Sequence, residues 1–152
     1  MLIPRKQVAS LGRRLRRQGN KIVFTNGVFD ILHLGHVSYL ARARSFGDVL
    51  VVGLNSDKSV RRLKGAGRPL QKQRDRAEIL LALRTVDYVV IFSEDTPQKL
   101  IEQIQPNVLV KGADYQVSEI VGAEFVRSHG GEVRRVRLTP GRSTSEIIKR
   151  LK

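Results

Sequence analysis

Five short apolar runs separated by stretches of helical spacing constrain this chain more than any other feature. Lys21–Thr25, Val49–Leu54, Tyr88–Phe92, Val108–Val110 and Val133–Leu138 are rich in β-branched residues, and several are continuous rather than alternating in polarity. A strand that is apolar on both faces needs cover on both, which is the condition of a parallel sheet. Between the runs, helices are predicted at 5–17, His36–Ser45, Arg74–Leu83, Pro97–Gln103, Glu119–Ser128 and Thr144–Leu151. Thr96-Pro97 offers a cap followed by proline at the first helical position, Ser118 precedes the next helix, and Ser143-x-x-Glu146 matches a capping box. Right-handed strand–helix–strand crossovers place helices on both faces of such a sheet. The expectation is an α/β fold: a doubly wound, Rossmann-like parallel sheet of about five strands in a three-layer α/β/α sandwich.

The length of 152 residues suits one domain, and no linker, repeat or low-complexity tract divides it. Residues 1–152 are therefore read as one domain, with a basic leading helix within 1–20 packed on the outside. Leu63–Lys72, containing Gly65, Gly67 and Pro69, is predicted to be a mobile basic loop. Cysteine is absent, which excludes disulfides and thiolate metal sites. No apolar run reaches membrane-spanning length and no secretory leader is present, so a cytoplasmic protein without membrane association is expected. A homo-oligomer is compatible with the sequence.

The net charge of +14 invites a nucleic-acid reading, but 13 of those charges lie in two end segments, Met1–Lys21 and Arg134–Lys152. The body between them is close to neutral. Tryptophan is absent, and the three Tyr and five Phe fall mostly at core-like positions, so the stacking platforms of RNA-binding modules are missing. A basic RNA-binding module stays as the alternative from a different functional class, and nucleic acid is not the expected partner.

The chemistry concentrates after the first predicted strand, where His33-Leu34-Gly35-His36 follows Val23–Asp30. Ligands of open α/β sheets sit at the carboxyl ends of the strands. Gly27 permits a sharp turn, and Gly35 leaves space at the mouth of a helix. A helix N-terminus attracts phosphate, and two imidazoles three residues apart would add donors on one helical face. Asp30, His33 and His36 could also be imagined around a metal, but a fourth ligand is missing and no metal site is predicted. Ser143, Thr144 and Ser145 open the last helix with hydroxyls and free N–H groups, a second phosphate cradle.

The segment Asn26-Gly-Val-Phe-Asp-Ile-Leu-His-Leu-Gly-His36 resembles the HxGH signature of the nucleotidyltransferase superfamily related to class I aminoacyl-tRNA synthetases. Members include glycerol-3-phosphate cytidylyltransferase and pantetheine-phosphate adenylyltransferase. Further segments follow in order: Asn55-Ser56-Asp57-x-Ser59-Val60-x-Arg62-Leu63-Lys64-Gly65-x-x-Arg68-Pro69, Glu94–Pro97, Val108–Tyr115 and Gly141-x-Ser143-Thr144-x-x-Ile147-Ile148. Together they are similar to the adenylyltransferase domain that makes ADP-heptose for lipopolysaccharide cores, over nearly all of the chain from Lys21 onward. Val28 stands where that family often has cysteine, and Ser145 where a second threonine is common.

The resemblance implies transfer of AMP from ATP to a sugar 1-phosphate, D-glycero-β-D-manno-heptose 1-phosphate, with release of pyrophosphate. It implies catalytic roles for His33, His36 and Lys64, the last closing over phosphates from the basic loop. Nucleotide would contact Val28 through its backbone, Phe29, His33, Gly35, His36 and Ser143–Ser145. Asp30, Arg76 and Asp114 are candidates for the acceptor: Asp30 for a sugar hydroxyl or for orienting a histidine, Arg76 for a phosphate, Asp114 for a polar contact. Mg²⁺ is expected as the cofactor, carried mainly by the ATP phosphates. Many relatives carry a sugar-kinase domain ahead of this one, so a separate sugar kinase is the expected pathway partner. The alternative within the same class is cytidylyl transfer to glycerol 3-phosphate or a similar alcohol phosphate.

Overall fold

All five predicted strands form, and each pairs in parallel with its neighbours. The structure, a computed structural model, describes residues 1–152. In chain order the elements are α1 (Val8–Arg17), β1 (Ile22–Gly27), α2 (Leu34–Arg44), β2 (Val49–Asn55), α3 (Asp57–Lys64), α4 (Gln73–Leu81), β3 (Tyr88–Phe92), α5 (Gln98–Ile104), β4 (Val108–Gly112), α6 (Ala123–Ser128), β5 (Glu132–Val136) and α7 (Thr144–Leu151). The strand order β3-β2-β1-β4-β5 reverses direction between β1 and β4. That reversal opens a crevice at the carboxyl ends of these two strands, the place where such sheets receive ligands.

Burial explains the runs that lack alternation. Every residue of β2 is buried, because helices cover both of its faces. One apolar layer joins Leu11 and Leu15 of α1 and Leu100, Ile101 and Ile104 of α5 to Phe24 and Leu109. The other joins Tyr39 and Leu40 of α2 and Ala77 and Leu80 of α4 to Val23, Val52 and Val110. Successive strand residues therefore point to opposite layers, and Phe24 and Leu109, partners in register, mark the α5 side. The β5 edge is different: Arg134 and Arg135 are exposed there, and charge blunts it against pairing with another chain.

Helix α1 packs against α5. Gly12 lets α1 approach α5 so closely that a Cβ there would sit 2.5 Å from the Ile104 carbonyl oxygen. Arg16 donates to the same carbonyl at 2.6 Å, while Arg13, Arg14 and Arg17 are exposed.

Three local expectations are corrected. The predicted helix 119–128 is broken: a 3₁₀ turn at Val117–Glu119 is capped by Gln116 rather than Ser118, and Gly122 takes φ +86° before α6 begins. An additional helix, α3, precedes the basic loop, capped by Ser56 Oγ accepting from the Ser59 N–H at 3.2 Å. Lys64 is thus the last residue of a helix and not part of the loop. The loop itself is tied down, since the buried Asp30 carboxylate accepts from Arg68 Nε at 3.1 Å and from the N–H groups of Leu70 and Gln71 at 2.8 and 3.0 Å. No helix is long and apolar enough to cross a membrane.

Candidate active site

A cleft of about 600 Å³ lies over the carboxyl ends of β1, β2 and β4. Its floor begins where β1 runs out. Phe29 and Ile31 adopt positive φ, +48° and +52°, an uncommon conformation for side chains of their size. The turn they make brings His33 to the start of α2. His33 is the N-cap, with an extended backbone, and its Nδ1 accepts the Gly35 N–H at 3.1 Å. A ring nitrogen that accepts an N–H carries no proton, so in the neutral ring the proton resides on Nε2.

The two imidazoles do not share a helical face, because His33 lies outside the helix. They stack instead, with centroids 3.9 Å apart and planes inclined by 27°. Phe29 meets His36 edge-on at 5.4 Å. Burial first, then the charges of His33 and Lys64, hold the His36 pKa at about 4. Burial also lowers that of His33. At neutral pH the pair is uncharged, and His36 Nδ1 is buried without a hydrogen-bond partner.

A second helix start meets the first. A Cβ on Gly35 would lie 3.1 Å from the Arg142 carbonyl oxygen, so the lead-in to α7 rests on the start of α2. Ser143 Oγ caps α7 by accepting the Glu146 N–H at 3.2 Å, and Thr144 Oγ1 donates to the Asp30 carbonyl at 2.8 Å. Two helix N-termini consequently face one cleft, with Lys64, Arg68 and Arg142 on its walls. Such an arrangement suits a polyanion.

The remaining predicted residues divide. Val28, Phe29, Gly35, Ser143, Thr144, Ser145 and Asp114 all border the cleft, and the Val28 carbonyl is taken by Arg76 Nη1 at 2.6 Å. Arg76 is corrected: it is buried beneath the site and not in the cleft. It pairs with Asp57 at 2.7 Å and donates to the carbonyls of Val28, Asn55 and Gln71, which engages four of its five N–H groups in a side chain that solvent does not reach. Asp30 also borders the cleft, with its side chain almost fully buried. Its carboxylate ties down the loop and neither histidine, accepting from Arg68 and Leu70 at Oδ2 and from Gln71 at Oδ1. Burial opposes its charge, yet the amides of Leu70 and Gln71 and the Arg68 guanidinium outweigh that and keep its pKa low.

Two cleft residues had no role assigned from sequence. Asn26 is the penultimate residue of β1, and Lys111 lies near the end of β4. Burial lowers the Lys111 pKa to about 8, against the opposing pull of Asp114. A lysine closing an otherwise apolar strand was the available signal. No group of three or more His, Cys, Asp or Glu side chains gathers to hold a metal.

The family described as Cytidylyltransferase-like matches residues 24–150. The Bifunctional protein HldE of Geotalea uraniireducens is 57% identical over 145 residues, covering 95% of this chain and 30% of that protein. The protein of the same name from Wolinella succinogenes is 51% identical over 150 residues, covering 99% of this chain and 31% of its own. The chain thus spans about 30% of the length of these curated relatives. Among solved structures, the lipopolysaccharide core biosynthesis protein of Thermoplasma volcanium superposes with a TM-score of 0.65 at 30% identity, over 80% of this chain and 98% of that one. A pantoate-beta-alanine ligase from Francisella tularensis, with a TM-score of 0.66 at 21% identity over 95% of this chain and 69% of that one, shares the fold. The stacked imidazoles, the paired helix starts and the match over residues 24–150 lead to one conclusion: the chain belongs to the cytidylyltransferase-like family of nucleotidyltransferases.

Proposed function

We propose that this protein transfers AMP from ATP to D-glycero-β-D-manno-heptose 1-phosphate, giving ADP-heptose and pyrophosphate. The observation that carries the reaction type is the stacked, uncharged His33–His36 pair at the meeting of two helix N-termini. The acceptor is supported by the motif resemblance to ADP-heptose-forming domains and by the kinship with HldE proteins.

An acceptor phosphate oxygen attacks the α-phosphorus, forming one P–O bond as the bond to the β-phosphate bridging oxygen breaks. The nucleophile is already an anion, so no general base is required. Catalysis is positioning and neutralisation of the charge that moves onto the leaving pyrophosphate. His33 Nε2–H and His36 donate to the triphosphate, the α7 start with Ser143–Ser145 takes part of its charge, and Lys64 adds a cation from the end of α3. Asp30 and Arg76 act from beneath, fixing the Arg68 loop and the Val28 turn. Mg²⁺ is cargo of the triphosphate in this reading, its ligands being phosphate oxygens and water. The reading carries with it a cytoplasmic location, where ATP is available, and a sugar kinase as the source of the 1-phosphate.

Pyrophosphate release measured with ATP and CTP, each paired with heptose 1-phosphate or glycerol 3-phosphate, tests it. Turnover is expected only with ATP and the heptose ester, and rapid turnover confined to CTP overturns it. His36→Ala is expected to keep the fold and lose about 10²–10³ in kcat. Full activity in that variant removes the mechanism.

A further inference from the structure

The proposed transfer joins two anions, and the histidine cradle accounts for only one of them. Elsewhere in the cleft, Asn26 and Lys111 stand on neighbouring strands. Phe24 and Leu109 are the last partners in register between β1 and β4; Asn26 and Lys111 each lie two residues further along, on the same faces as Phe24 and Leu109, and both line the cleft. Both belong to the α5 side. The space above Gly53, the register partner of Asn26, is bounded by Phe24, Leu100 of α5 and the Asn26 Cβ. His33 and His36, in contrast, sit at the start of α2, which covers the opposite face.

Neither side chain is satisfied within the protein. Asn26 Oδ1 is buried and has no hydrogen-bond partner. The Lys111 ammonium makes no hydrogen bond or ion pair, and its near neighbour is the Tyr115 ring, 5.3 Å from Nζ. Burial of the lysine is unfavourable and Asp114 offsets it only in part, as the lowered pKa reports, so a bound anion would supply the missing charge. A buried amide oxygen in the same cleft lacks only a donor, such as a hydroxyl. A ligand meeting both needs carries a phosphate next to a hydroxyl-bearing carbon skeleton.

The reaction geometry indicates which substrate this is. In-line displacement brings the nucleophile to phosphorus from the side opposite the leaving group. With pyrophosphate held by the α2 histidines, the nucleophile enters from the α5 side of the strand ends. We propose that Asn26 and Lys111 form the acceptor subsite, Lys111 Nζ donating to the attacking sugar phosphate and Asn26 Oδ1 accepting from a hydroxyl of the sugar. The assignment rests on the adenylyl-transfer reading above.

Initial rates of pyrophosphate release with ATP and heptose 1-phosphate test it, with each substrate varied in turn. Lys111→Met is expected to raise the acceptor KM at least about tenfold, as for loss of a charge-assisted hydrogen bond, while the ATP KM stays as in the wild type. Lys111→Arg should recover most of that loss, because a cation is restored. Asn26→Ala, which removes the unpaired oxygen without burying a new one, should raise the acceptor KM about fivefold. Thermal melts establish that each variant is folded; should Lys111→Met fail to fold, Lys111→Arg and Asn26→Ala still report on the acceptor KM. The proposal is overturned if the ATP KM rises instead, if kcat alone changes, or if nothing changes. Absence of turnover in the wild type with ATP and any sugar 1-phosphate marks failure of the adenylyl-transfer reading itself, and takes the acceptor subsite with it.

Discussion

At the scale of single residues, the site depends on imidazoles kept uncharged until a ligand arrives. Burial and the adjacent His33 and Lys64 depress the His36 pKa from 6.5 to about 4. Between those values the unfolded chain binds more protons than the folded one, so this group makes stability rise with pH across that window. A triphosphate reverses the local balance by favouring the cation. Nucleotide binding should therefore take up protons near pH 6, and affinity should rise as pH falls from 7 toward 5. Calorimetry in two buffers of different ionisation enthalpy measures this directly; uptake should vanish in His36→Gln, and zero uptake by the wild type would contradict the model of the pair. The motif was plain in the sequence, but its electrostatics were not. Desolvation of His36 arises from residues brought over it by the fold, among them Phe29 in a left-handed backbone conformation.

At the scale of elements, Arg76 shows how a functional-looking residue becomes scaffold. From sequence it is an arginine opening a helix after a basic loop. In the fold it reaches under the cleft and joins α4 to the turn after β1, the end of β2 and the start of α3, with its guanidinium fully buried. Arg76→Met would leave three carbonyls short of a donor and Asp57 without its partner. The expected loss is about 3 kcal/mol or more in denaturant unfolding, with the acceptor KM little changed in the protein that remains folded. A large rise in acceptor KM at unaltered stability would instead return Arg76 to the substrate. Helix α3 escaped prediction for a related reason: only Ser59 and Val60 are buried, so its apolar stripe is too narrow to stand out among lysines and arginines.

At the scale of the whole molecule, the strand order places everything. Reversal between β1 and β4 gathers residues from positions 26 to 145 around one cleft. The basic N-terminal segment lies apart from it in role: Arg13, Arg14 and Arg17 are solvent-facing on α1, whereas Arg16 closes against α5. Replacing those three with glutamine should leave pyrophosphate release unchanged and shorten retention on a polyanionic column in a salt-dependent way. A collapse of turnover with the fold intact would mean α1 contributes to the site.

Local patterning by itself determined the five strands, the parallel sheet and the segments that frame the cleft, because burial on two faces and helix starts leave signatures within a few neighbouring residues. Only the tertiary structure decided which charged groups stay free for a ligand. Asp30 and Arg76 are engaged by partners 5 to 48 residues away, while Asn26 Oδ1 and Lys111 Nζ, brought to one cleft across 85 residues of chain, are left without a hydrogen-bond partner. Whether a polar side chain is satisfied depends on neighbours distant in sequence, and no local pattern records them.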